Sequence, residues 1–279
     1  MKITTLIDNR TQSDNLETEH GLSLYIETDD GQKILYDTGQ SDLFMHNAKK
    51  LGVDLSEIDK VIISHAHYDH IGGLVAFLKI NKTAKVYMNP TLFYYEYFSL
   101  KNGVKKLNGF PAELLEYRDR FVFMYLNRCI DNIWLITNIN KTHEMPKGNA
   151  ILYRQKKGVE ELDKFEHELI LAVDTAKGMC VFTGCAHNGV LNIVATVQSV
   201  IPSKKIHCLY GGFHLIDGKD YVEVETTDEL TSIANELTNL LPSAKFYTGH
   251  CTGDKAISVL SQKMEGKLES FYVAKEVII

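Results

Sequence analysis

The sequence predicts an α/β protein whose strands and helices recur in two successive halves, and three features predict it. Residues 61–63, Val-Ile-Ile, form a short apolar run that reads as a buried strand. After a polar cluster and Gly72-Gly73, the apolar run 74–78 reads as a helix. Segments 22–27 and 33–37 flank Thr28-Asp29-Asp30-Gly31, and Asp-Gly between two strand-like stretches signals a hairpin. From residue 150 onward, strand-like segments (150–154, 168–174, 179–183) again lead into a helix (189–200) and a further strand (205–210). No repeat of solenoid length is visible.

The other elements follow in order. Residues 3–7 alternate as an opening strand. Residues 42–51 read as a helix stopped by Gly52, and Ser56 is placed to cap a short turn before the strand at 61–63. Residues 85–88 read as a core strand closed by Asn89-Pro90. The chain then changes character. Phe93, Tyr94, Tyr95, Tyr97 and Phe98 crowd together, and Phe110, Tyr117, Phe121, Phe123 and Tyr125 follow. That is too irregular for one amphipathic helix and too apolar for a linker. Residues 91–147 therefore read as an aromatic-rich inserted segment of a single domain spanning 1–279. It fits a lid, with Phe93, Tyr94, Tyr97 and Phe98 in a pocket wall, as well as it fits ordinary core or a homodimer contact. Turns fall at Lys157-Gly158 and Lys177-Gly178, and a helix at 227–241 is capped by Thr227 with Glu229 in its first turn. Strands at 245–247 and 268–273 end the chain.

The polar cluster carries the chemistry. In an extended segment alternate side chains share a face, so His65 and His67 point at one spot. Where the chain turns helical, Asp69 and His70 address a neighbouring spot. Three imidazoles and a carboxylate within six residues suit a borderline metal such as zinc, manganese or iron. A histidine-rich surface loop fits less well, because an apolar strand presents the cluster and Gly72-Gly73 allows close backbone approach.

His65-Ala66-His67-Tyr68-Asp69-His70 resembles the H-x-H-x-D-H signature of the metallo-β-lactamase superfamily. Ile34-Leu35-Tyr36-Asp37-Thr38-Gly39 resembles the strand and Asp-Gly element that precedes the signature, and Thr248-Gly249-His250 resembles the last histidine motif. Gly184-Cys185-Ala186-His187-Asn188-Gly189 and Gly211-Gly212-Phe213-His214-Leu215 are similar to the dihydropterin ribofuranosylaminobenzene-phosphate synthase-like subgroup. The resemblance implies a four-layer αββα sandwich holding one or two divalent metal ions, zinc before manganese or iron. It implies His65, His67 and a third histidine around one ion, and Asp69, His70 and His250 around the other. His187, in a glycine-rich bend after an apolar strand, is the candidate third histidine. Many members carry a bridging aspartate where Cys185 stands. Cys185 is then a thiolate ligand or, as expected here, a small buried residue that leaves the metals without a protein bridge. Asp37 is expected to orient a metal-binding imidazole by accepting its other N–H. Asp69 and His214 are the expected catalytic residues, Asp69 as acceptor of a water proton. His214 is read as a phosphate binder, a general acid or a helix cap. His20 is a weaker candidate for the cleft rim, and His46, His143, His167 and His207 read as surface or satisfied core.

The 279 residues suffice for a sizeable core, and 44% hydrophobic with 24% charged residues is ordinary for a globular chain. A net charge of −6 argues against a nucleic-acid partner, which needs a concentrated basic face. No apolar stretch reaches membrane-spanning length, and the N-terminus lacks the apolar core of a signal peptide. Five cysteines without a C-x-x-C pair fit a reducing cytoplasm. The leading expectation is a metal-dependent hydrolase of a small ester, lactone or phosphoester acting through a metal-activated water. The alternatives are a transferase forming a C–N bond on a pterin-like substrate, which rests on the subgroup resemblance, and a non-catalytic metal-containing ligand-binding protein. A small, phosphorylated or heteroaromatic molecule is the expected partner.

Overall fold

A computed structural model describes residues 1–218 and 223–279. β1 (Lys2–Ile7), β2 (Ser23–Glu27) and β3 (Lys33–Tyr36) open the chain. α1 (Leu43–Lys50), β4 (Lys60–Ile62), α2 (Tyr68–Ile71), α3 (Leu74–Ile80) and β5 (Lys85–Met88) follow. Next come β6 (Glu96–Lys101), β7 (Val104–Leu107), β8 (Phe121–Phe123), β9 (Arg128–Ile130) and β10 (Ile133–Ile136). The second half contains β11 (Leu152–Lys156), β12 (Val159–Leu162), β13 (Ile170–Thr175), β14 (Gly178–Phe182) and α4 (Val190–Val200). β15 (Ile206–Tyr210), α5 (Thr227–Leu240), β16 (Lys245–Thr248), α6 (Asp254–Lys263), β17 (Leu268–Ser270) and β18 (Glu276–Ile278) complete it.

The strands form two seven-stranded sheets, ordered β18-β1-β2-β3-β4-β5-β8 and β17-β16-β15-β14-β13-β10-β9, and a small sheet β12-β11-β6-β7. Alternation along each strand divides its side chains between two apolar layers. On β14, Cys180 and Phe182 face the first sheet, whereas Met179 and Val181 pack under α4, α5 and α6. On β4, Ile62 joins the inter-sheet layer and Val61 the layer beneath α1 and α3. Helices, two sheets and helices therefore stack as four layers. Strands buried on both faces explain the unbroken apolar runs in the sequence. Buried tyrosine hydroxyls tie the sheets together: Tyr210 Oη lies 2.8 Å from Thr5 Oγ1, and Tyr36 Oη donates to the Phe182 carbonyl at 3.3 Å.

Each large sheet contains a parallel run, β3-β4-β5-β8 in one and β14-β15-β16-β17 in the other. The loops leaving the carboxyl ends of β3, β4, β14, β15 and β16 carry Asp37, His65, Cys185, His214 and His250. Open α/β sheets place ligands at such strand ends.

Several elements differ from the sequence expectations. Residues 91–147 do not fold as one block. β8 extends the first sheet, β9 and β10 extend the second, and β6 and β7 pair with β11 in the third. The cap of α5 is Thr226, whose hydroxyl accepts from the Glu229 amide while the Glu229 carboxylate accepts from the Thr226 amide. Asp54, not Ser56, caps the turn at Leu55–Glu57. The segment expected as a strand at 268–273 stops at Ser270. α6, whose buried face is only Ala256 and Leu260, and the three-residue β18 beside β1 carry too little pattern to be read in advance.

Phe182→Ala empties a buried site between the sheets and is expected to cost about 3–5 kcal/mol of unfolding free energy. Tyr210→Phe removes only the hydroxyl facing Thr5 and is expected to cost about 1 kcal/mol. Urea denaturation of both variants checks the ranking.

Candidate metal centre

The backbone around the strand ends is held in conformations that side chains seldom adopt. Asp37, Ala186, His214 and His250 all have left-handed φ values, between +50° and +58°. Such strain persists only where surrounding structure dictates it. Gly184 shows why its turn needs glycine. Its φ is +58°, and a Cβ there would stand 2.6 Å from the Ser64 side chain.

Four imidazoles are oriented by the same device, an acceptor on Nδ1. Asp37 Oδ2 lies 2.7 Å from His70 Nδ1. The same carboxylate accepts from the Ser64 hydroxyl at 2.6 Å, which leaves that hydroxyl oxygen to accept from His65 Nδ1 at 2.8 Å. Asn149 clamps His187 at two points, its Oδ1 3.0 Å from Nδ1 and its amide donating to the His187 carbonyl at 2.7 Å. Asn9 clamps His250 in the same way, at 3.0 Å for both contacts. With the proton held on Nδ1, each Nε2 presents a lone pair. Those of His65 and His187 have no hydrogen-bond partner among the described residues, and that of His70 lies 3.1 Å from that of His250. Two imidazole lone pairs this close need a cation between them, a proton or a metal ion.

The structure brings together all six side chains singled out as ligands. The rings of His65, His67 and His187 lie 4.7–4.9 Å apart, centre to centre. Asp69 Oδ2 lies 3.2 Å from His250 Nε2 and 3.7 Å from His70 Nε2. Burial holds His65, His67 and His187 below the usual histidine range, His67 at about 3, so that each is a neutral donor. Burial also opposes the charge on Asp69, but His70 and His250 hold its carboxyl well below the ordinary range. His250 shows the reverse balance. Burial lowers its pKa, and the Asp69 hydrogen bond together with neighbouring negative charge more than offsets that, pushing it up to about 9.

Cys185 sits between the two histidine groups. Its Sγ is 3.1 Å from His70 Nε2 and belongs both to a set with His65 and His187 and to one with His70 and His250. Burial raises its thiol pKa. The sulfur faces imidazoles instead of apolar core. His20 stands at the rim, its Nε2 3.3 Å from Asp69 Oδ2. His214 is buried with its ring 4.1 Å from that of His187.

Of these groups, His20, His67, Asp69, Cys185, His187, His214 and His250 line an open cavity of about 520 Å³, and His65 and His70 lie buried behind it. Phe93, Tyr94, Tyr97 and Phe98 do not line the cavity, so the pocket-wall role that the lid reading gave them does not hold, although other residues of 91–147 do line it. Phe93 packs against Phe110 and Phe121, Tyr97 donates to the Thr91 carbonyl and meets His167, and Phe98 stacks on Tyr153. The cleft wall carries cations beside apolar residues: Ser99, Lys101 and Lys106 of the β6–β7 hairpin line the cavity together with Val104 and Leu152.

Comparison with known proteins agrees with this geometry. The profile of the metallo-beta-lactamase superfamily matches residues 17–157. The chain belongs to the metallo-β-lactamase superfamily. It is similar to the 7,8-dihydropterin-6-methyl-4-(beta-D-ribofuranosyl)-aminobenzene-5'-phosphate synthase of Methanocaldococcus jannaschii, with 29% identity covering 92% of this chain and 89% of that protein. Among solved structures it is similar to Tm1679, described as a metal-dependent hydrolase of the beta-lactamase superfamily (TM-score 0.83, 28% identity, 100% of this chain and 99% of the other). A diphosphatase of the PhnP family shares the fold at 12% identity (TM-score 0.54, 100% and 97% covered).

Metallo-β-lactamase superfamily membership implies divalent metal binding, and the donor set fits it. Neutral imidazoles with inward lone pairs, a low-pKa carboxylate and a thiol are what a borderline metal requires. Several supporting residues escaped the sequence reading. Glu168 is buried and accepts from the amides of His187 and Asn188 at 2.6 and 2.8 Å, fixing the turn that carries His187. Asp8 accepts from the His250 amide at 2.7 Å, and burial pushes its pKa up to about 6. His167, expected as surface or satisfied core, is core: Nδ1 accepts from the Ala66 amide, and Nε2 lies 2.9 Å from Asp163. Polar residues at the ends of apolar segments, such as Asp8-Asn9 after β1, were the available signal.

Asp37→Ala and Asn149→Ala are each expected to weaken zinc binding about 10–100-fold while the chain still folds. Competition titration against a chromogenic chelator, with melting curves as control, checks both.

Proposed function

We propose that the protein is a metal-dependent hydrolase of a small phosphate-bearing ester or phosphoester, with water as nucleophile. The observation that carries this reading is the convergence of two groups of candidate ligands, His65-His67-His187 and Asp69-His70-His250, at one open cavity, whose lining includes His67, His187, Asp69 and His250 with His65 and His70 buried behind them. A divalent ion at such a site lowers the pKa of water toward neutrality and polarises a carbonyl or phosphoryl oxygen.

The chain's own residues supply the rest. With one ion bound, Asp69 faces the cavity as an anion and takes the proton of the attacking water at Oδ2, and His20, 3.3 Å away and exposed at the rim, passes it to solvent; with two ions bound, Asp69 is a ligand. Lys101 and Lys106 stand on the cavity wall, with the Lys106 ammonium 4.9 Å from the Tyr68 ring centre. Arg10 lines the same cavity, its Nη1 buried without a partner among the described residues. These cations suit a phosphate held above the metal floor.

A second reading, a transferase forming a C–N bond on a pterin-like substrate, is favoured by the similarity to the synthase across nearly the whole chain. The same cations would hold that substrate's phosphate. The two readings separate when zinc- or manganese-loaded protein is incubated with phosphomonoesters, phosphodiesters and lactones. A parallel reaction supplies a dihydropterin whose 6-methyl carbon carries a leaving group such as diphosphate, so that the amine of a ribofuranosylaminobenzene phosphate displaces diphosphate and loses a proton, and products are followed by chromatography. Hydrolysis in the first set without condensation in the second supports the hydrolase; condensation alone establishes the transferase. For the substrate turned over, the Lys101→Ala/Lys106→Ala double variant is expected to raise KM about 10–100-fold with little change in kcat, because a hydrogen bond to a charged group contributes about 1.5–3 kcal/mol.

A further inference from the structure

We propose that Cys251 and His214, together with Cys185, form a sulfur-rich site for zinc or another thiophilic ion beside the histidine cluster, open to the same cavity. The proposal touches the hydrolase reading only in sharing Cys185 with that cluster.

Three loops build the site, those leaving β14, β15 and β16. The Cys185 and Cys251 sulfurs and a His214 ring nitrogen all lie within 4.8 Å of one another. Zinc–sulfur bonds are about 2.3 Å and zinc–nitrogen bonds about 2.0–2.1 Å, so in a tetrahedral site two sulfurs stand about 3.8 Å apart and a sulfur and a nitrogen about 3.6 Å apart. Small side-chain rotations therefore close the set around one ion.

Room for these donors is made by glycine. A Cβ at Gly212 would overlap the Cys251 sulfur, and one at Gly148 would stand 3.3 Å from His214 Nε2. The loops are also stitched together. The Phe213 amide donates to Thr252 Oγ1 at 2.9 Å and the Gly253 amide to the Leu215 carbonyl at 2.9 Å, which holds His214 against Cys251 at a left-handed φ of +50°.

His214 itself points to a ligand. It is 9% exposed, and neither ring nitrogen has a hydrogen-bond partner among the described residues. A histidine kept for packing looks different in this same protein, where both nitrogens of His167 are satisfied. A buried imidazole that leaves a donor and an acceptor unmade is costly unless something binds there. The cysteines divide in the same way. Cys180 and Cys208 lie in the apolar layer between the sheets, whereas Cys185 and Cys251 line the cavity beside imidazoles. Three protein donors with the cavity at the fourth position match sites that keep a place for water or substrate.

Cobalt(II) substitution tests the proposal, because thiolate coordination produces a charge-transfer band that imidazole and carboxylate ligands do not. Wild-type protein is expected to show the band. Cys251→Ser and His214→Ala should each bind one cobalt fewer per chain, Cys251→Ser should weaken the band, and the Cys185→Ser/Cys251→Ser double variant should lose it. Cys251→Ala, with a melting curve, guards against a variant that fails to fold. A His65→Ala/His67→Ala variant keeps the Cys251-dependent band while losing other metal. Should that variant retain its full metal content, the histidine reading fails and the sulfur site stands. The proposal is overturned if Cys251→Ser and His214→Ala keep wild-type stoichiometry and band. It is equally overturned if wild-type protein binds cobalt without the band, including the case in which thiol titration finds Cys185 and Cys251 joined as a disulfide.

Discussion

Four imidazole Nε2 atoms forced into one buried cluster are the constraint on which this structure turns. His65, His70, His187 and His250 each have Nδ1 committed to an outer acceptor, so each Nε2 is left to face the others. In water the arrangement would be unremarkable, since solvent would hydrogen-bond every lone pair. Inside a protein it is unfavourable unless a cation sits among them. The polar shell around the centre holds the rings against their mutual repulsion. Its members arrive from many parts of the chain: Asn9 after β1, Asp37 after β3, Asn149 before β11, and Glu168 before β13.

The sandwich makes that convergence rigid. The ligand loops leave the carboxyl ends of parallel strands in both sheets, and those strands are buried on both faces. A shift of one sheet against the other would have to break the packing of Phe182, Tyr210 and Tyr36 before it could spread the ligands. Strain at Asp37, Ala186, His214 and His250 is concentrated where the loops bend back over the site. The packed layers over-determine those four backbone conformations.

Legibility from the sequence followed distance along the chain. His65, His67, Asp69 and His70 were readable because four candidate ligands fall within six residues behind an apolar strand. The strand and helix order was readable because doubly buried strands leave unbroken apolar runs. Asn9, Asn149 and Glu168 were not, since an outer-shell acceptor has no characteristic spacing and each reaches its histidine across the fold. The aromatics of 91–147 misled for another reason. Density of aromatic residues signals burial, but it does not say against what. Phe93 turned toward Phe110 and Phe121, and Phe98 stacks on Tyr153 on the face of the small sheet turned away from the cavity, which left lysines to line the cleft. Cys185 lay between these cases: its position beside the histidines was visible, but only the structure shows its sulfur turned toward His70.

The claim that the shell forces lone pairs onto a cation is tested most directly by nitrogen-15 NMR of the histidine side chains at neutral pH. The account predicts that, in metal-free protein, His65, His70 and His187 carry their proton on Nδ1, and that adding zinc shifts their Nε2 resonances. Protons resident on Nε2 in these residues, with resonances indifferent to zinc, would contradict it.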